Sequence, residues 1–266
     1  MEILSFKIRG KLAHFRKYYA NNTAFSFSIP PRTSIMGIIA AIMGKDKDSY
    51  YQDFGSENLK IGVRVLSPLK KSFHRLNFIS LKSLGDLSKS FSSDFRGKGG
   101  RIQTPFEVVS AWDICKGDVI YQIFISYNEA GKNIFDDVKN HFLNSEPVFN
   151  ISLGTANFNA SIFDIQVIED RNLKIKYPSD YVFIHSAIPT ELVEDLQFDK
   201  DEYESYNFVE EDMMPGDFIG NGNREVSKMN KLLFSITPNP LRVKISGDYY
   251  QVKLPDEVIN IQFMDS

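Results

Sequence analysis

The chemistry that this chain could perform is clearest in a short segment where aromatic and basic residues are interleaved. The segment consists of His14, Phe15, Arg16, Lys17, Tyr18 and Tyr19. Such residues suit single-stranded RNA, because a base stacked on an aromatic ring contributes about 1 to 3 kcal/mol while an arginine or lysine holds the adjoining phosphate. The alternative is a strand edge whose tyrosines cover the core. We predict phosphate contacts from Arg16 and Lys17.

A second feature that could bind an anion lies at the start of a predicted helix. A Pro-Pro pair precedes it and Gly44 stands where a helix stops, so we predict a helix over about Thr33 to Met43. Its residues are apolar on every side, which indicates burial against a sheet. Thr33 or Ser34 could cap the first turn, and the free N–H groups there would bind a phosphate together with Arg32. A plain capped core helix with one surface arginine is the alternative.

A long basic excursion, about residues 67–116, separates two predicted strands. Its middle, Asp94 to Arg101, is rich in glycine, so the backbone can turn freely and approach a phosphate closely. Such an arm would grip RNA without reading its sequence, because its cations contact phosphates. An ordinary loop is the alternative. The basic residues of the excursion are Lys70, Lys71, Arg75, Lys82, Lys89, Arg96, Lys98 and Arg101.

Charge is distributed unevenly along the chain. Residues 1–110 contain 18 lysines and arginines against 8 acidic residues, whereas residues 111–266 contain 13 against 26. This asymmetry indicates a polyanion-binding face combined with a different docking face; solvated charge without a function is the alternative. The acidic excess is concentrated from Glu191 to Asp217. We interpret this run as a solvated loop or, as the sharper hypothesis, a docking segment for a basic protein.

Composition is that of a globular protein. The 266 residues are 42% hydrophobic and 13% aromatic, enough to bury a sizeable core. The sequence shows no secretion signal and no apolar run long enough to span a membrane, and the single cysteine, Cys115, excludes an internal disulfide and a thiolate zinc cluster. We therefore expect a cytoplasmic protein without membrane contact, metal or cofactor.

Hydrophobic periodicity predicts the order of the secondary-structure elements. The order is strand, helix, strand, excursion, strand, helix, strand, which is the ferredoxin-like plan of an α+β protein. We predict a ferredoxin-like domain over residues 1–170 with a hairpin insertion at about 67–116, and an acidic, mostly β extension over 171–266 packed on it. The predicted strands lie around Leu4–Ile8, Ile61–Val65, Val119–Tyr127 and Ala160–Ile168, and the second helix around Ile134–Phe142.

The histidines do not form a recognisable catalytic site. His14, His74, His141 and His185 have neither an adjacent nucleophile nor metal-ligand spacing. His14 or His74 could serve as the general base of a metal-independent endoribonuclease, with Tyr18 or Tyr19 and a lysine as helpers. We predict a noncatalytic protein and keep the endoribonuclease as the alternative.

Three motifs resemble the CRISPR-associated Cas-five family of the RAMP superfamily. The first, similar to the family's N-terminal signature, comprises Phe15-Arg16, Ile29-Pro30-Pro31-Arg32-Thr33, Gly37-Ile38 and Ala40-Ala41 to Gly44. The second, similar to the returning arm of the family's long hairpin, is Gln103-Thr104-Pro105-Phe106-Glu107. The third, similar to its Pro then Leu-Gly segment, is Glu146-Pro147 with Ile151 to Asn157, although the family often has arginine where this chain has Thr155. The resemblance covers roughly residues 1–165.

The resemblance implies a crRNA-binding subunit of a type I CRISPR surveillance complex (Cascade) of the I-B-like kind, acting in antiviral defence. Such a subunit holds the crRNA 5′ handle, caps the filament of Cas-seven-type backbone subunits and docks a Cas-eight-type large subunit. Target DNA is then reached only through the complex. The resemblance also implies a thumb, which we place at Phe91 to Gln103, between the handle and the spacer. One branch of the family cleaves precursor crRNA with a set of residues that includes an adjacent Lys-His pair, and this chain has no such pair.

The residues and the resemblance together give one predicted RNA-binding set. It joins the first strand, the basic-aromatic segment, the start of the helix and the hairpin. Its members are Arg9, His14, Phe15, Arg16, Lys17, Tyr18, Tyr19, Arg32, Thr33, Ser34, Arg75, Arg96, Lys98, Arg101, Gln103 and Thr104.

Overall fold

The computed structural model describes residues 1–20, 23–79, 101–198, 209–219 and 224–265. Within these ranges the protein is mostly β-sheet, with two α-helices, α1 (Arg32–Met43) and α2 (Lys132–Asn144), and short 3-10 helices at Glu129–Gly131, Asp170–Asn172 and Thr190–Leu192. The strands up to residue 170 are β1 (Ile3–Gly10), β2 (Leu12–Ala13), β3 (Phe15–Arg16), β4 (Ser26–Phe27), β5 (Leu59–Val65), β6 (Leu69–Ile79), β7 (Arg101–Ala111), β8 (Val119–Tyr127) and β9 (Ala160–Ile168). The later strands are β10 (Leu173–Lys176), β11 (Val182–Ile184), β12 (Ile188–Pro189), β13 (Val193–Gln197), β14 (Val209–Phe218), β15 (Val226–Ser235), β16 (Leu241–Ile245), β17 (Tyr249–Lys253) and β18 (Val258–Ile261).

A four-stranded antiparallel sheet, ordered β5, β8, β1, β9, is the centre of the first part. Leu4, Phe6 and Ile8 of β1 are completely buried on one face, while Lys7 and Arg9 lie on the other, as strand alternation requires. All four predicted strands and both predicted helices are present. Those predictions are confirmed because each of these segments has a clear periodicity.

Helix α1 begins directly after Pro31 and ends at a left-handed glycine. The carbonyl oxygen of Pro31 accepts a hydrogen bond from the backbone N–H of Ser34 at 2.9 Å. No side chain caps the first turn, so the capping role expected for Thr33 or Ser34 is wrong. Gly44 has a φ of 69°, a conformation that favours glycine, and the predicted end of the helix is confirmed.

Helix α2 packs on the same core through its apolar face. Phe135, Val138 and Phe142 are buried, and the ring centroid of Phe142 lies 4.7 Å from that of Phe6 on β1. The spacing of these residues places them on one side of the helix, as the sequence predicts. In the described part of the chain, no helix has the length and apolarity needed to cross a membrane.

Strands β6 and β7 form a long antiparallel ladder. The pairing runs from Leu69 opposite Ala111 to Ile79 opposite Arg101, and β7 also pairs with β2. The two arms of the predicted excursion are therefore joined strand to strand. Of the predicted thumb, Phe91 to Gln103, residues 91–100 lie outside the described residues.

In the described part of the chain after residue 170, all nine strands belong to three small sheets, ordered β10-β17-β18, β11-β16-β13 and β12-β15-β14. Met214, Leu232 and Phe234 of β14 and β15 belong to the same hydrophobic core as α1 and the central sheet. A second cluster places Ile259 and Ile261 of β18 against Ile3 and Phe124. The chain beyond residue 170 thus packs directly on the first part, while the boundary at 170 stays a prediction.

Candidate nucleic-acid interface

A cleft of about 880 Å³ opens beside α1. Most of its walls come from four segments that are far apart in the sequence, residues 14–18, 31–41, 104–106 and 150–155. The other residues that border it are Ala24, Tyr50, Tyr51, Pro215, Phe218, Arg224 and Val226. Each of the three motifs singled out in the sequence contributes residues to this cleft. The fold therefore brings the motifs together at one place.

One face of α1 forms part of the cleft wall. Ser34, Gly37, Ile38 and Ala41 all border it, and their spacing of three or four residues places them on one side of the helix. Ser34, Gly37 and Ala41 are partly exposed. The prediction that α1 is buried on every side is therefore wrong on this face, where small side chains leave space for a ligand.

The basic-aromatic segment is divided between the core and the surface. Phe15 is only 2% exposed and its ring packs edge-on to Tyr121 with centroids 6.1 Å apart. His14 is also 2% exposed, and its ring stacks on Phe106 with centroids 3.9 Å apart. A base cannot stack on either ring in this arrangement. The expectation that His14 and Phe15 contact RNA through their side chains is therefore wrong.

The environment of His14 also makes it a poor general base. Its Nδ1 lies 2.7 Å from the carbonyl oxygen of Glu107 in a buried position. Burial lowers the pKa of His14 and outweighs the opposing effect of this hydrogen bond. The ring is therefore neutral at pH 7 and held by its neighbours, which is the behaviour of a structural histidine.

Arg16, Tyr18 and Tyr19 form the exposed part of the segment. Both tyrosines are 54% exposed, with ring centroids 5.2 Å apart in an edge-to-face arrangement. Arg16 is exposed and donates one hydrogen bond, from Nη2 to the carbonyl oxygen of Ala20 at 3.4 Å. Arg16 and Tyr18 border the cleft. A cation and an aromatic ring thus stand at its mouth.

Lys17 lies beside Tyr19, with its ammonium 5.8 Å from the ring centroid, but its charge is already neutralised. It forms an ion pair with Asp212, and its ammonium lies 5.1 Å from the ring centroid of Phe27. Burial disfavours the charged form of Lys17, but the hydrogen bonds and charges of Asp212 and Tyr19 together outweigh it and raise the pKa. A phosphate could bind Lys17 only by replacing Asp212, which corrects the prediction of a simple phosphate contact.

Arg32 lies in the core rather than at the surface. Its guanidinium is completely buried, with Nη1 2.6 Å from Oδ1 of Asp217 and Nε 2.7 Å from Oδ1 of Asp265. Nη2 donates to the carbonyl oxygens of Phe54 at 2.9 Å and Leu59 at 2.7 Å. The anion expected beside Arg32 is supplied by the protein's own carboxylates. The predicted phosphate contact of Arg32 is therefore wrong, and one part of the proposed phosphate clasp is lost.

The remaining predicted residues at the start of α1 differ in their access to the cleft. Thr33 is buried, with 8% exposed, whereas Ser34 is partly exposed and both border the cleft. The backbone N–H groups of a helix's first turn have no acceptor within the helix. That of Ser34 donates instead to the carbonyl oxygen of Pro31, which directly precedes α1. Ser34 is the residue at this end that a ligand could reach.

The ladder of β6 and β7 contributes one residue of the predicted RNA-binding set to the cleft. Thr104 borders it, whereas Gln103 and Arg75 are exposed elsewhere on the ladder of β6 and β7. Arg96 and Lys98 lie outside the described residues, and the side chain of Arg101 is likewise not described.

Arg9 is placed apart from the cleft. It lies on the face of the central sheet opposite to the helices, with its guanidinium carbon 5.1 Å from the ring centroid of Phe163. Its Nε donates to Oγ of Ser161 at 3.3 Å. The structure therefore does not bring Arg9 together with Arg16.

The loop that follows α2 is held against the basic-aromatic segment by a glycine. The backbone N–H of His14 donates to the carbonyl oxygen of Leu153 at 3.0 Å. Gly154 next to it has a φ of 93°, and a Cβ at this position would overlap the carbonyl oxygen of His14. The Leu-Gly pair of the third motif thus has a physical role, because only glycine permits this close approach.

Sequence reasoning missed Arg224, which borders the cleft from the far end of the chain. Its side chain is 53% exposed, and its Nε lies 2.8 Å from Oδ1 of Asp48. That hydrogen bond raises the pKa of Arg224. The only local signal was the preceding turn, Gly220 to Asn223, which lies outside the described residues and gives no hint of the distant cleft.

Acidic β14 lies against the basic first half of the chain. Glu210 approaches Lys71 at 3.4 Å, in addition to the pairs of Asp212 with Lys17 and Asp217 with Arg32. This end of the predicted Glu191–Asp217 docking run is therefore a packed strand and not a solvated loop. Residues 199–208 of the run lie outside the described residues.

Comparisons with known proteins agree with the sequence motifs. Residues 3–107 match the family model described as CRISPR-associated protein (Cas_Cas5), and the predicted resemblance is confirmed. A solved structure titled a CRISPR protein from Archaeoglobus fulgidus is similar in fold, with a TM-score of 0.52, 15% identity and coverage of 98% of each chain. A chain of a structure titled CRISPR RNA-guided surveillance complex matches with a TM-score of 0.45 and 14% identity, over 90% of this chain and 91% of that one. No curated protein matches the chain.

We predict that Gly154→Ala strongly destabilises the protein. The new methyl group would meet the His14 backbone and the φ of 93° is strained for alanine, so the free energy of unfolding should fall by about 3 kcal/mol or more. Urea unfolding followed by circular dichroism measures this. Gly247→Ala is the matched control, because its Cβ would meet only Leu192 Cδ2 at 3.5 Å. Equal losses for both variants would contradict the account.

We also predict that Arg32→Met destabilises the fold. Removing the guanidinium leaves the buried carboxylate of Asp265 without its cation, at a cost of about 3 to 5 kcal/mol in the free energy of unfolding. Arg32→Lys should restore little, since one ammonium cannot replace the planar set of donors. Arg171→Met, at an arginine whose side chain is 78% exposed, is the control. Unchanged urea unfolding of Arg32→Met would refute the buried role.

Proposed function

We propose that the protein is a noncatalytic crRNA-binding subunit of a type I CRISPR surveillance complex, because residues 3–107 match the model of the CRISPR-associated Cas-five family. In this role it holds the 5′ handle of the crRNA in the cleft beside α1. The observation that carries the proposal is the convergence there of Arg16, Tyr18, the exposed face of α1 and the loop containing Gly154.

The cleft has the groups that single-stranded RNA needs. Arg16 and Arg224 offer guanidinium groups to phosphates, and Tyr18 with Tyr19 offers exposed rings for unpaired bases. Small residues along α1 allow the RNA backbone to approach the helix closely. Since these contacts are to phosphates and ring faces, they fix the position of the strand more than they read its sequence.

We infer that the central sheet and its two helices form a ferredoxin-like domain. Their order along the chain is strand, helix, strand, strand, helix, strand once the β6 and β7 ladder is set aside as an insertion. The ladder would then be the base of the thumb, and Phe91 to Gln103 its tip between handle and spacer. Exposed Arg75 and Gln103 are suited to follow the RNA backbone along it.

The partners in this proposal are the Cas-seven-type backbone subunit and the Cas-eight-type large subunit. Target DNA would be reached only through the complex, in the cytoplasm. The acidic docking segment is narrower than the sequence suggested, because the carboxylates of Glu210, Asp212 and Asp217 are paired within the chain. We place protein docking on the acidic part of the run between β13 and β14.

The proposal of a noncatalytic role rests on the state of the candidate bases. His14 is buried, neutral and held by the Glu107 carbonyl, so it cannot approach a ribose 2′-hydroxyl. His74 is exposed on β6, where its Nε2 lies 3.0 Å from Oγ of Ser72. It has no cation beside it among its described contacts to stabilise a pentacoordinate phosphate.

We predict that Arg16→Ala and Tyr18→Ala each weaken binding of a repeat-derived 5′ handle RNA. Loss of one phosphate contact by Arg16→Ala should reduce the slope of log affinity against log salt by about 1. Loss of one stacking ring by Tyr18→Ala should cost about 1 to 3 kcal/mol with little change in slope. Fluorescence anisotropy at several salt concentrations separates the two effects.

Arg171→Ala serves as the control for these measurements, because it removes an exposed arginine distant from the cleft residues in sequence and paired only with Glu169 in the described part of the chain. Its affinity and slope should equal those of the unmodified protein. The same losses in the control, or none in Arg16→Ala and Tyr18→Ala, would remove the cleft from the RNA site.

We predict that purified protein incubated with repeat RNA in EDTA binds the RNA and leaves it intact. Gel electrophoresis of the RNA, together with a mobility shift, reports cleavage and binding in one experiment. A defined cleavage product that disappears in His74→Ala but persists in His14→Ala would instead establish the metal-independent endoribonuclease.

A further inference from the structure

The sheet formed by β11, β16 and β13 has one buried and one open face. Ile184, Leu241 and Val243 are on the buried face and belong to one hydrophobic cluster. Phe183 lies opposite Arg242, which in turn lies opposite Gln197, so these three side chains form a row on the open face. Phe183 is 48% exposed. The open face therefore carries an aromatic ring and a cation side by side.

A second row extends this face. Tyr181, Asp195 and Lys244 are each two residues from a member of the first row, namely Phe183, Gln197 and Arg242. Strand alternation therefore places them on the same face. The guanidinium carbon of Arg242 lies 5.9 Å from the ring centroid of Tyr181 and 5.8 Å from that of Phe183. Arg242 thus spans two neighbouring rings, which orients its planar group along the face.

The neighbouring sheet continues the polar surface. Lys174 lies opposite Gln251 and Gln251 opposite Asn260, and Nε2 of Gln251 donates to Oδ1 of Asn260 at 3.3 Å. Nδ2 of Asn260 then donates to the carbonyl oxygen of Phe183 at 2.9 Å. By strand alternation, Lys176 and Lys253 lie on the same side as Lys174 and Gln251.

These rows contain several basic side chains, although they lie in the acidic part of the chain. Residues 111–266 contain twice as many acidic residues as basic ones. The face described above nevertheless carries five basic side chains, of which Lys244 is paired with Glu194 at 2.9 Å. Asp195 accepts a hydrogen bond from the Tyr181 hydroxyl. The basic members are Lys174, Lys176, Arg242, Lys244 and Lys253.

We propose that this face is a second binding surface for single-stranded RNA, separate from the cleft beside α1. Phe183 and Tyr181 provide rings for two bases, since residues two apart on a strand lie about 6.6 Å from one another. Arg242, Lys174, Lys176 and Lys253 hold the adjoining phosphates. The choice of RNA rests on the proposed function, in which RNA is the chain's principal partner.

The test compares a short RNA with a long one on the full chain. An RNA of about 8 nucleotides fills one surface, whereas one of about 30 nucleotides can reach both. Phe183→Ala/Arg242→Ala should lower affinity for the long RNA about tenfold and leave the short RNA unchanged. Lys174→Ala/Lys176→Ala should reduce the dependence of long-RNA affinity on salt concentration. Both lysines are exposed, so their loss leaves the hydrophobic core unchanged.

Phe149→Ala/Lys132→Ala is the matched control, because it removes an exposed ring and an exposed cation at and after α2, outside the strands that form this face. It should behave as the unmodified protein with both RNAs. Thermal unfolding of every variant distinguishes a lost contact from a lost fold.

Each outcome of this experiment is decisive. Equal affinity of the long RNA for the unmodified protein and for Phe183→Ala/Arg242→Ala would overturn this inference and leave the cleft intact. Failure of the unmodified protein to bind either RNA would overturn the proposed function and this inference with it. An equal contribution of Phe183 and Arg242 to binding of single-stranded DNA of the same sequence would overturn the assignment to RNA.

Discussion

The arrangement around α1 depends on one buried guanidinium. Arg32 has no exposed surface, and its contacts join the start of α1 to β14 through Asp217, to the end of the chain through Asp265 and to the carbonyl of Leu59 at the start of β5. Removing these charges from water is expensive, and burial raises the pKa of Asp265 even though Arg32 opposes that shift. Hydrogen bonds from Arg32 to two carbonyl oxygens offset part of this cost. The position of α1, and therefore of the cleft beside it, is set by this cluster.

The same principle governs the rest of the charge distribution. The sequence separates a basic half from an acidic half, but folding brings β14 of the acidic half against Lys17, Arg32 and Lys71 of the basic half. Charge that is segregated along the chain is thus partly neutralised in space. An interpretation based on totals for each half overstates the positive field of the first half, because ion pairs across the fold are invisible to it.

The sequence was sufficient for elements with strong periodicity and insufficient for the accessibility of individual side chains. β1, β5, β8, β9 and both helices could be predicted, since each buries one set of regularly spaced apolar residues. Convergence of the motifs followed from that fold. The burial of Arg32 could not be predicted, because its partners Asp217 and Asp265 lie at least 185 residues further along the chain. The same holds for Arg224 at the cleft.

Strand alternation explains the division of the basic-aromatic segment, and it limits how the cleft can bind. Phe15 enters the core while Arg16 beside it stays exposed, so half of an apparently continuous binding motif is structural. Several other cations of the first half are also paired, including Lys7 with Asp164 at 2.6 Å and Arg64 with Glu257 at 2.7 Å. Few cations at the cleft are then available to contact phosphates. Stacking on Tyr18 and close approach to α1 must therefore contribute more of the affinity than charge does. Binding through a small number of such contacts is readily strengthened by neighbouring subunits, which suits a protein that acts as one part of a larger assembly.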